Sequence, residues 1–228
     1  MGQAEHIGAM DSATSVSKTL RASFATAVAT HEPYTYWTAR DLLPADIARD
    51  ICQLPFAAPN LGGVSGKREK HNATRTYFDA ANRAAFDVVD ATAHAFQSRD
   101  VTQVIESTFS TDLTGSFLRI EYAQDVDGFW LQPHSDLGVK LFTLLLYLSD
   151  DPAHENLGTD IYDADKSFFA RMPFKPNQAM VFVPSDDTFH GFEQRTITGV
   201  RRSLIVNYVT DEWLARAQLA FPDTPIAP

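Results

Sequence analysis

Several features common in secreted, membrane and nucleic-acid-binding proteins are scarce in this sequence. Cys52 is the one cysteine among 228 residues, so no disulfide can form within the chain, which is typical of a reducing compartment. The residues around it predict a buried core thiol on a helix. The N-terminus has no charged-then-apolar signal region, and no window approaches the length of an apolar membrane span. These absences predict a cytoplasmic protein with no membrane partner.

Positive charge is also scarce. Lys and Arg total 19 against 29 Asp and Glu, which gives a formal net charge of -10. The densest basic cluster, residues 67–70, is short and is broken by Glu69. A nucleic-acid ligand requires a positive field that displaces counterions from phosphates, so we predict no nucleic-acid partner. The acidic chain favours a small-molecule substrate, with a protein substrate as the alternative, and it predicts no particular oligomeric state.

The chain has enough length and apolar content for one hydrophobic core. Hydrophobic residues make up 44% and charged residues 21% of its 228 positions, an ordinary globular balance. Residues 1–17 are small and polar without periodicity, which predicts a flexible N-terminal tail. We therefore expect a single domain over residues 18–228.

The two halves of that domain differ in pattern. Residues 81–97 place apolar side chains at helical spacing, Asp100 can cap a further helix, and shorter helices are predicted over 18–29 and 45–54. A short strand is predicted over residues 33–37. After Gly115, turn residues separate strand-like runs over 116–123, 140–149, 159–162, 179–184 and 201–209. Helices followed by strands predict a mainly β fold, a sandwich or barrel with helices packed on one sheet.

A long loop is predicted between the second helix and the helix at 81–97. Residues 56–75 are rich in Gly, Pro, Asn and Lys, and loops of this length are often functional. Gly62, Gly63 and Gly66 permit the wide backbone range of a hinge. Residues 57–75 are therefore a candidate lid over a site, and the alternative is a mobile connection without a role in turnover.

Three short motifs in the β-rich half carry the chemistry. His134 and Asp136 are two residues apart, so on a strand both point to one face. His190 follows 54 residues after Asp136, beyond a strand-like run and a polar turn. Arg201 and Ser203 open the last run, 11 and 13 residues after His190. Each motif alone is common, as a surface pair, a structural histidine or a solvated arginine.

Taken together, the motifs predict a metal site beside an anion site. Two imidazoles and one carboxylate on one face of a metal leave three positions open, as in non-haem iron(II) oxygenases. Strand alternation puts Arg201 and Ser203 on the inner face, where an arginine requires an anionic partner, and Arg202 on the other face. Arg201 and Ser203 would bind the distal carboxylate of a 2-oxo acid.

This order and spacing resembles the 2-oxoglutarate and iron(II)-dependent dioxygenase superfamily, and more closely its prolyl-hydroxylase-like branch. The resemblance covers about residues 116–210 and includes Arg119-Ile-Glu-Tyr122, the strand from Lys140 to Leu148 and the run from Lys175 to Val183. It implies a double-stranded β-helix (jelly-roll) core with iron at its open end. The implied cofactors are Fe(II), 2-oxoglutarate as co-substrate and O₂, with ascorbate as a further candidate.

The resemblance also implies roles for particular residues. His134, Asp136 and His190 correspond to the metal ligands, which are also the catalytic residues. Arg201 corresponds to the residue that pairs with the 2-oxoglutarate carboxylate, Tyr147 to a tyrosine that hydrogen-bonds the same carboxylate, and Tyr122 to a tyrosine that lines the co-substrate pocket. Halogenating relatives have a small residue at the carboxylate position, so Asp136 favours hydroxylation.

Two other interpretations of the β-rich half remain open. One is a cupin-like jelly roll that uses its metal without 2-oxoglutarate, as a hydrolase or isomerase. The other is a ligand-binding jelly roll with a chance His and Asp set. Neither requires an arginine directed at a metal-bound acid. Trp130, Gln132 and Asn207 are candidates either for substrate contact or for packing and structural hydrogen bonds.

Overall fold

The computed structural model describes residues 2–61, 66, 75–136 and 138–228, with side chains from residue 11 onward. Within those ranges every α-helix precedes residue 110, and two short 3₁₀ helices, Pro152–His154 and Arg216–Gln218, follow in the second half. The helices are α1 (Gly2–Ala25), α2 (Ala45–Cys52), α3 (Ala80–Ala85), α4 (Asp87–Gln97) and α5 (Arg99–Phe109).

The strands of the described residues form two antiparallel sheets. The strands are β1 (Val28–Thr30), β2 (Tyr36–Arg40), β3 (Thr76–Tyr77), β4 (Phe117–Asp125), β5 (Leu131–His134), β6 (Lys140–Tyr147), β7 (Asp160–Tyr162), β8 (Phe168–Arg171), β9 (Gln178–Phe182), β10 (His190–Phe192) and β11 (Arg201–Val209). The larger sheet has the order β1-β2-β9-β6-β11-β4-β3, and the smaller has the order β5-β10-β7-β8. The predicted class, mainly β with a jelly-roll core, is confirmed.

Both faces of the larger sheet are covered, so its strands have buried residues on both faces. Leu204, Val206 and Tyr208 of β11 belong to the core on the helical side, together with apolar residues of α1, α2, α4 and α5. Ile205 packs in a second core that includes Leu145 and Ile161 and lies toward the smaller sheet. The predicted alternation of β11 is therefore confirmed, and the helices pack on one sheet as expected.

The N-terminal segment differs from the prediction. Residues 2–17, expected to be a flexible tail, form the first part of α1. Val16, Leu20 and Phe24 are buried in the helical-side core. Their spacing of four residues places them on one face of a helix, and burial of this stripe packs the C-terminal part of α1 against the core.

Two further segments depart in detail from the sequence-based expectation. The helix predicted over 81–97 is divided at Phe86, whose backbone is extended, with φ of -137°, between α3 and α4. The Phe86 ring packs edge-on against the Phe56 ring, with the two ring centroids 5.4 Å apart. Cys52, expected to be buried, is half-buried at the end of α2, where its Sγ lies 3.9 Å from the carbonyl oxygen of Leu148.

The candidate lid over residues 57–75 lies mostly outside the described residues, so its role stays a prediction. Residues 57–61, Gly66 and Arg75 of this segment are described, and the Gly66 carbonyl oxygen accepts a hydrogen bond of 2.9 Å from the backbone N–H of Gln132 on β5. No helix in the described ranges has the length and apolarity needed to cross a membrane.

Candidate active site

The three predicted metal ligands converge between the two sheets. His134 ends β5, His190 begins β10, and the two residues lie directly opposite each other in the antiparallel pairing of these strands. Asp136 follows two residues after β5. One ligand atom from each side chain lies within 4.8 Å of the other two. Strand pairing therefore brings together motifs that are far apart in the sequence.

Gly191 allows the two histidine strands to approach. A Cβ atom added at this residue would lie 2.7 Å from the carbonyl oxygen of Leu131 on β5, closer than real contacts permit. Because the obstructing atom belongs to the backbone, a side chain at position 191 would push β10 away from β5. The glycine between His190 and Phe192 thus has a geometric role in placing the two histidines.

Hydrogen bonds fix which nitrogen of each histidine faces the site. His134 Nδ1 lies 3.0 Å from the carbonyl oxygen of Gln132, and His190 Nδ1 lies 3.1 Å from that of Thr188. A carbonyl oxygen can only accept, so in each neutral ring Nδ1 carries the hydrogen and Nε2 carries the lone pair. This is the arrangement in which a backbone carbonyl orients a metal-binding imidazole.

The Asp136 carboxylate is buried, and its Oδ2 accepts two hydrogen bonds. Lys140 Nζ lies 2.8 Å from Asp136 Oδ2, and the Thr143 hydroxyl lies 3.0 Å from the same atom. Oδ1 lies 4.0 Å from His134 Nε2. Two imidazole nitrogens and one carboxylate oxygen suit a divalent first-row metal such as iron(II), so the donor set fits the cofactor that the motif implies.

Arg201 lies at the other end of the same pocket. Its Nε donates 2.6 Å to the carbonyl oxygen of Leu157, and its Nη1 is paired with Asp125 Oδ2. The guanidinium carbon lies 4.8 Å from the ring centre of Phe192 and 5.1 Å from that of Phe174. Arg201 is 6% exposed, so its charge is largely removed from water. Among the described residues its remaining nitrogen, Nη2, has no hydrogen-bond partner.

Arg201 terminates a buried chain of alternating charges. Arg119 Nη2 lies 2.6 Å from Glu121, whose other oxygen lies 3.1 Å from Arg75 Nε. Arg75 Nη1 lies 2.6 Å from Asp125, which in turn pairs with Arg201. Burial alone would lower the pKa of Arg75, but the charges of Asp125 and Glu121 raise it above its ordinary value. The chain contains three guanidinium groups and two carboxylates, so it carries one excess positive charge.

The two ends of this charged chain differ. Arg119 is enclosed by neutral groups: it donates to Asn207, Gln218 and Tyr77, and its guanidinium carbon lies 5.0 Å from the Trp213 ring centre. Arg201 instead lines the pocket that also contains the metal ligands. Because an unpaired buried charge is costly, the pocket end is where a further anion would stabilise the chain.

Ser203 and Tyr147, the other residues predicted to contact the 2-oxo acid beside Arg201, line the same pocket. The Tyr147 hydroxyl donates 2.9 Å to Thr159 Oγ1 and accepts 3.2 Å from the Thr159 amide. Burial raises the pKa of Tyr147 above its ordinary value, so its hydroxyl stays a neutral donor over the physiological range.

Tyr122 is not brought to this pocket. It alternates on β4 with the pocket-facing Glu121 and packs in the helical-side core, where its ring lies 6.2 Å from that of Phe56. Burial raises its pKa to about 12. A one-residue difference in strand register separates the two faces, and the sequence did not resolve that register. Asn207, by contrast, is fully buried and is hydrogen-bonded to Arg119 and Thr143.

Several pocket residues were missed by the sequence analysis. They are Arg75, Glu121, Asp125, Thr159 and Lys140, all of which line the cavity. A signal was present on β4, where charged residues at 119, 121 and 125 recur at even spacing within a mostly apolar strand. The pairing of Glu121 and Asp125 with Arg75 and Arg201 joins residues that are 46 or more positions apart, and only the fold could show it.

Solved structures of prolyl hydroxylases resemble this fold. A prolyl-4-hydroxylase from Pseudomonas putida has a TM-score of 0.52 at 15% identity, covering 86% of this chain and 94% of that one. The viral collagen prolyl hydroxylase of Paramecium bursaria Chlorella virus-1, in its 2OG complex, has a TM-score of 0.54 at 15% identity, with coverages of 77% and 96%.

A third similar structure contains a bound peptide. It is the prolyl hydroxylase of Trichoplax adhaerens in complex with a hypoxia inducible factor peptide fragment, with a TM-score of 0.56 at 12% identity and coverages of 92% and 94%. No protein-family model and no curated protein matches the sequence. At these identities the likeness establishes that the chain has the prolyl-hydroxylase fold.

Proposed function

We propose that this protein is a 2-oxoglutarate-dependent iron(II) dioxygenase that hydroxylates its substrate. In the reaction, 2-oxoglutarate, O₂ and a C–H bond give succinate, CO₂ and an alcohol, with one oxygen atom entering succinate and the other entering the product. The observation that carries the proposal is the placement of the His134, Asp136 and His190 ligand atoms within 4.8 Å in a pocket that also holds the buried Arg201.

Iron(II), when bound by the three side chains, would supply the coordination positions and the redox chemistry for the 2-oxo acid and O₂. The protein supplies orientation. Backbone carbonyls hold both imidazoles with Nε2 toward the site. Asp136 contributes the negative charge that retains a divalent ion between two neutral rings.

The other end of the pocket supports binding of the distal carboxylate of 2-oxoglutarate. Arg201 Nη2 and the Ser203 hydroxyl are donors on the pocket wall, and the Tyr147 hydroxyl, which donates to Thr159, lines the same wall. A bound carboxylate would offset the excess positive charge of the chain from Arg119 to Arg201, which a neutral ligand would not. This feature favours 2-oxoglutarate use over the cupin-like alternative, which has no need of a buried arginine.

The substrate itself is not identified. A small molecule is our first candidate because the chain is acidic, with a net charge of -10, and has no binding repeats. A prolyl or other side chain of a protein is the second candidate, and the peptide-bound Trichoplax adhaerens structure supports it. Screening free amino acids and prolyl peptides for succinate release with iron(II), 2-oxoglutarate and ascorbate compares both classes in one assay.

The assignment of Asp136 gives the direct test. Asp136→Ala removes the anionic ligand, so we expect iron(II) affinity and 2-oxoglutarate-dependent succinate formation to be lost together. Asp186→Ala changes an exposed aspartate and serves as the control for the loss of one charge. Metal titration and succinate assay are performed on both. Wild-type stoichiometry and turnover in Asp136→Ala would overturn the proposed metal centre.

A further inference from the structure

We propose that Lys140, Thr143 and Asn207 are positioning residues that hold Asp136 Oδ2 and leave Oδ1 to bind the metal. The proposal rests on the metal centre proposed above and concerns how its carboxylate is oriented. The four side chains are buried, with Thr143 and Asn207 0% exposed. Each contact between them follows from donor and acceptor chemistry.

Arg119 determines the direction of the hydrogen bonds that lead through Asn207 and Thr143 to Asp136. A guanidinium group can only donate, so the Asn207 amide oxygen, 3.0 Å from Arg119 Nη1, must face it. The Asn207 amide nitrogen then lies on the other side, 3.0 Å from Thr143 Oγ1, and donates to that oxygen. Thr143 has a single hydroxyl hydrogen, which is left to donate to Asp136 Oδ2 at 3.0 Å. The relay therefore runs in one direction, toward the metal ligand.

Lys140 completes the arrangement on the same oxygen. Its Nζ, 2.8 Å from Asp136 Oδ2, donates a charge-assisted hydrogen bond between groups that are 5% and 4% exposed. Two donors occupy the two lone pairs of Oδ2. Both oxygens lie near the imidazoles, Oδ1 4.0 Å from His134 Nε2 and Oδ2 3.9 Å from His190 Nε2, so the two donors on Oδ2 are what assign Oδ1 as the ligand atom. A single-oxygen ligand leaves more of the coordination sphere open than a bidentate one.

Asn207→Asp isolates the direction of the relay. The substituted carboxylate matches the amide in shape and can still accept from Arg119, but it cannot donate to Thr143. The Thr143 hydroxyl would then turn its hydrogen toward position 207 and away from Asp136. Thr143→Val removes the hydroxyl at constant shape, while Thr143→Ser retains it. Lys140→Met and Lys140→Arg make the corresponding comparison for the amine.

The experiment is a cobalt(II) titration of each full-length variant without 2-oxoglutarate, followed by the ligand-field absorption spectrum of the bound ion. We expect Asn207→Asp, Thr143→Val and Lys140→Met to weaken cobalt affinity by about ten- to a hundredfold and to alter the spectrum. Thr143→Ser and Lys140→Arg should remain within about threefold of wild type and keep its spectrum, because each restores the donor. Asn156→Asp, at an exposed site, controls for added charge.

The outcomes separate this proposal from the metal centre itself. Wild-type affinity and spectrum in Asn207→Asp and Thr143→Val, with metal lost in Asp136→Ala, would overturn the relay and leave the centre in place. Failure of the wild-type protein to bind cobalt would overturn the centre. Far-ultraviolet circular dichroism identifies any variant that does not fold; if Lys140→Met is one, the Thr143 pair, which differs by a single hydroxyl, decides the result.

Discussion

Asp125 accepts hydrogen bonds from two guanidinium groups through different oxygens, Arg75 on Oδ1 and Arg201 on Oδ2. Arg201 is held a second time, through Nε, by the carbonyl oxygen of Leu157. The neighbouring Gly158 is tightly enclosed, since an added Cβ would lie 1.6 Å from the carbonyl oxygen of Met172. Arg201 is thus oriented by backbone and carboxylate contacts before any ligand arrives, which lowers the entropic cost of binding.

Substitution of Arg201 tests the co-substrate site at the level of one residue. Loss of one partner from a buried, hydrogen-bonded charge pair costs about 2–5 kcal/mol. Arg201→Ala should therefore raise the Kd of 2-oxoglutarate by about thirtyfold or more, measured calorimetrically with the metal bound. Arg202→Ala is the matched control, because Arg202 lies on the helical face of β11. A larger effect of Arg202→Ala than of Arg201→Ala would contradict the assignment.

At the scale of elements, the long strands of the larger sheet carry the polar network and the short strands carry the histidines. β4 and β6 both pair with β11 in regular register through Asn207, so residues from all three meet at one level of the sheet: Arg119 and Thr143 both lie opposite Asn207. β5 and β10 are four and three residues long, and their pairing has a register irregularity after His190. The proposed metal ligands therefore lie on or next to the short, irregular sheet, and the residues that hold Asp136 lie on the long one.

The packing of helix α1 can be tested separately, because the helix contacts the core through a narrow buried stripe. Leu20 is 0% exposed in the helical-side core, so Leu20→Ala should reduce the free energy of unfolding by about 2–5 kcal/mol through lost burial and the remaining cavity. Lys18→Ala, at an exposed position of the same helix, should change it by less than about 0.5 kcal/mol. Urea denaturation measures both. Equal effects would mean that α1 does not pack as described.

For the whole molecule, buried tyrosines determine the response to alkaline pH. Burial is the main cause of a raised pKa in six of the seven tyrosines: Tyr34, Tyr77, Tyr122, Tyr147, Tyr162 and Tyr208. In the unfolded chain these phenols ionise near pH 10. Above that pH the unfolded state binds fewer protons than the native state, so stability falls as pH rises.

The expected result is an alkaline transition that couples ionisation to unfolding. Below about pH 10 the contribution of these tyrosines to stability should be fully present, and above it most phenolate absorbance should appear together with the loss of circular dichroism. In denaturant the seven tyrosines should titrate together near pH 10. Reversible ionisation of most tyrosines in the folded protein above pH 10 would show that these rings are accessible.

The sequence by itself determined the elements whose pattern depends on local chemistry. The spacing of His134, Asp136 and His190 and the alternation of β11 follow from the two-residue period of a strand and the ligand preferences of iron. The long apolar strands were also predicted close to their observed bounds. Strands β1, β3, β5, β8 and β10 were missed, because a strand of two to four residues is too short to show a period; of the described strands this short, β7 was predicted.

Tertiary structure decided which residues meet. The order of α1 depends on the core beneath Leu20, and the exclusion of Tyr122 from the pocket depends on the register of β4 against β11. The ion pairs of Asp125 and the relay from Asn207 to Asp136 join groups that are distant in the chain and adjacent only across strands. Such contacts leave no local periodicity in the sequence, because their partners are selected by burial, where each charge must find an opposite charge or a hydrogen bond.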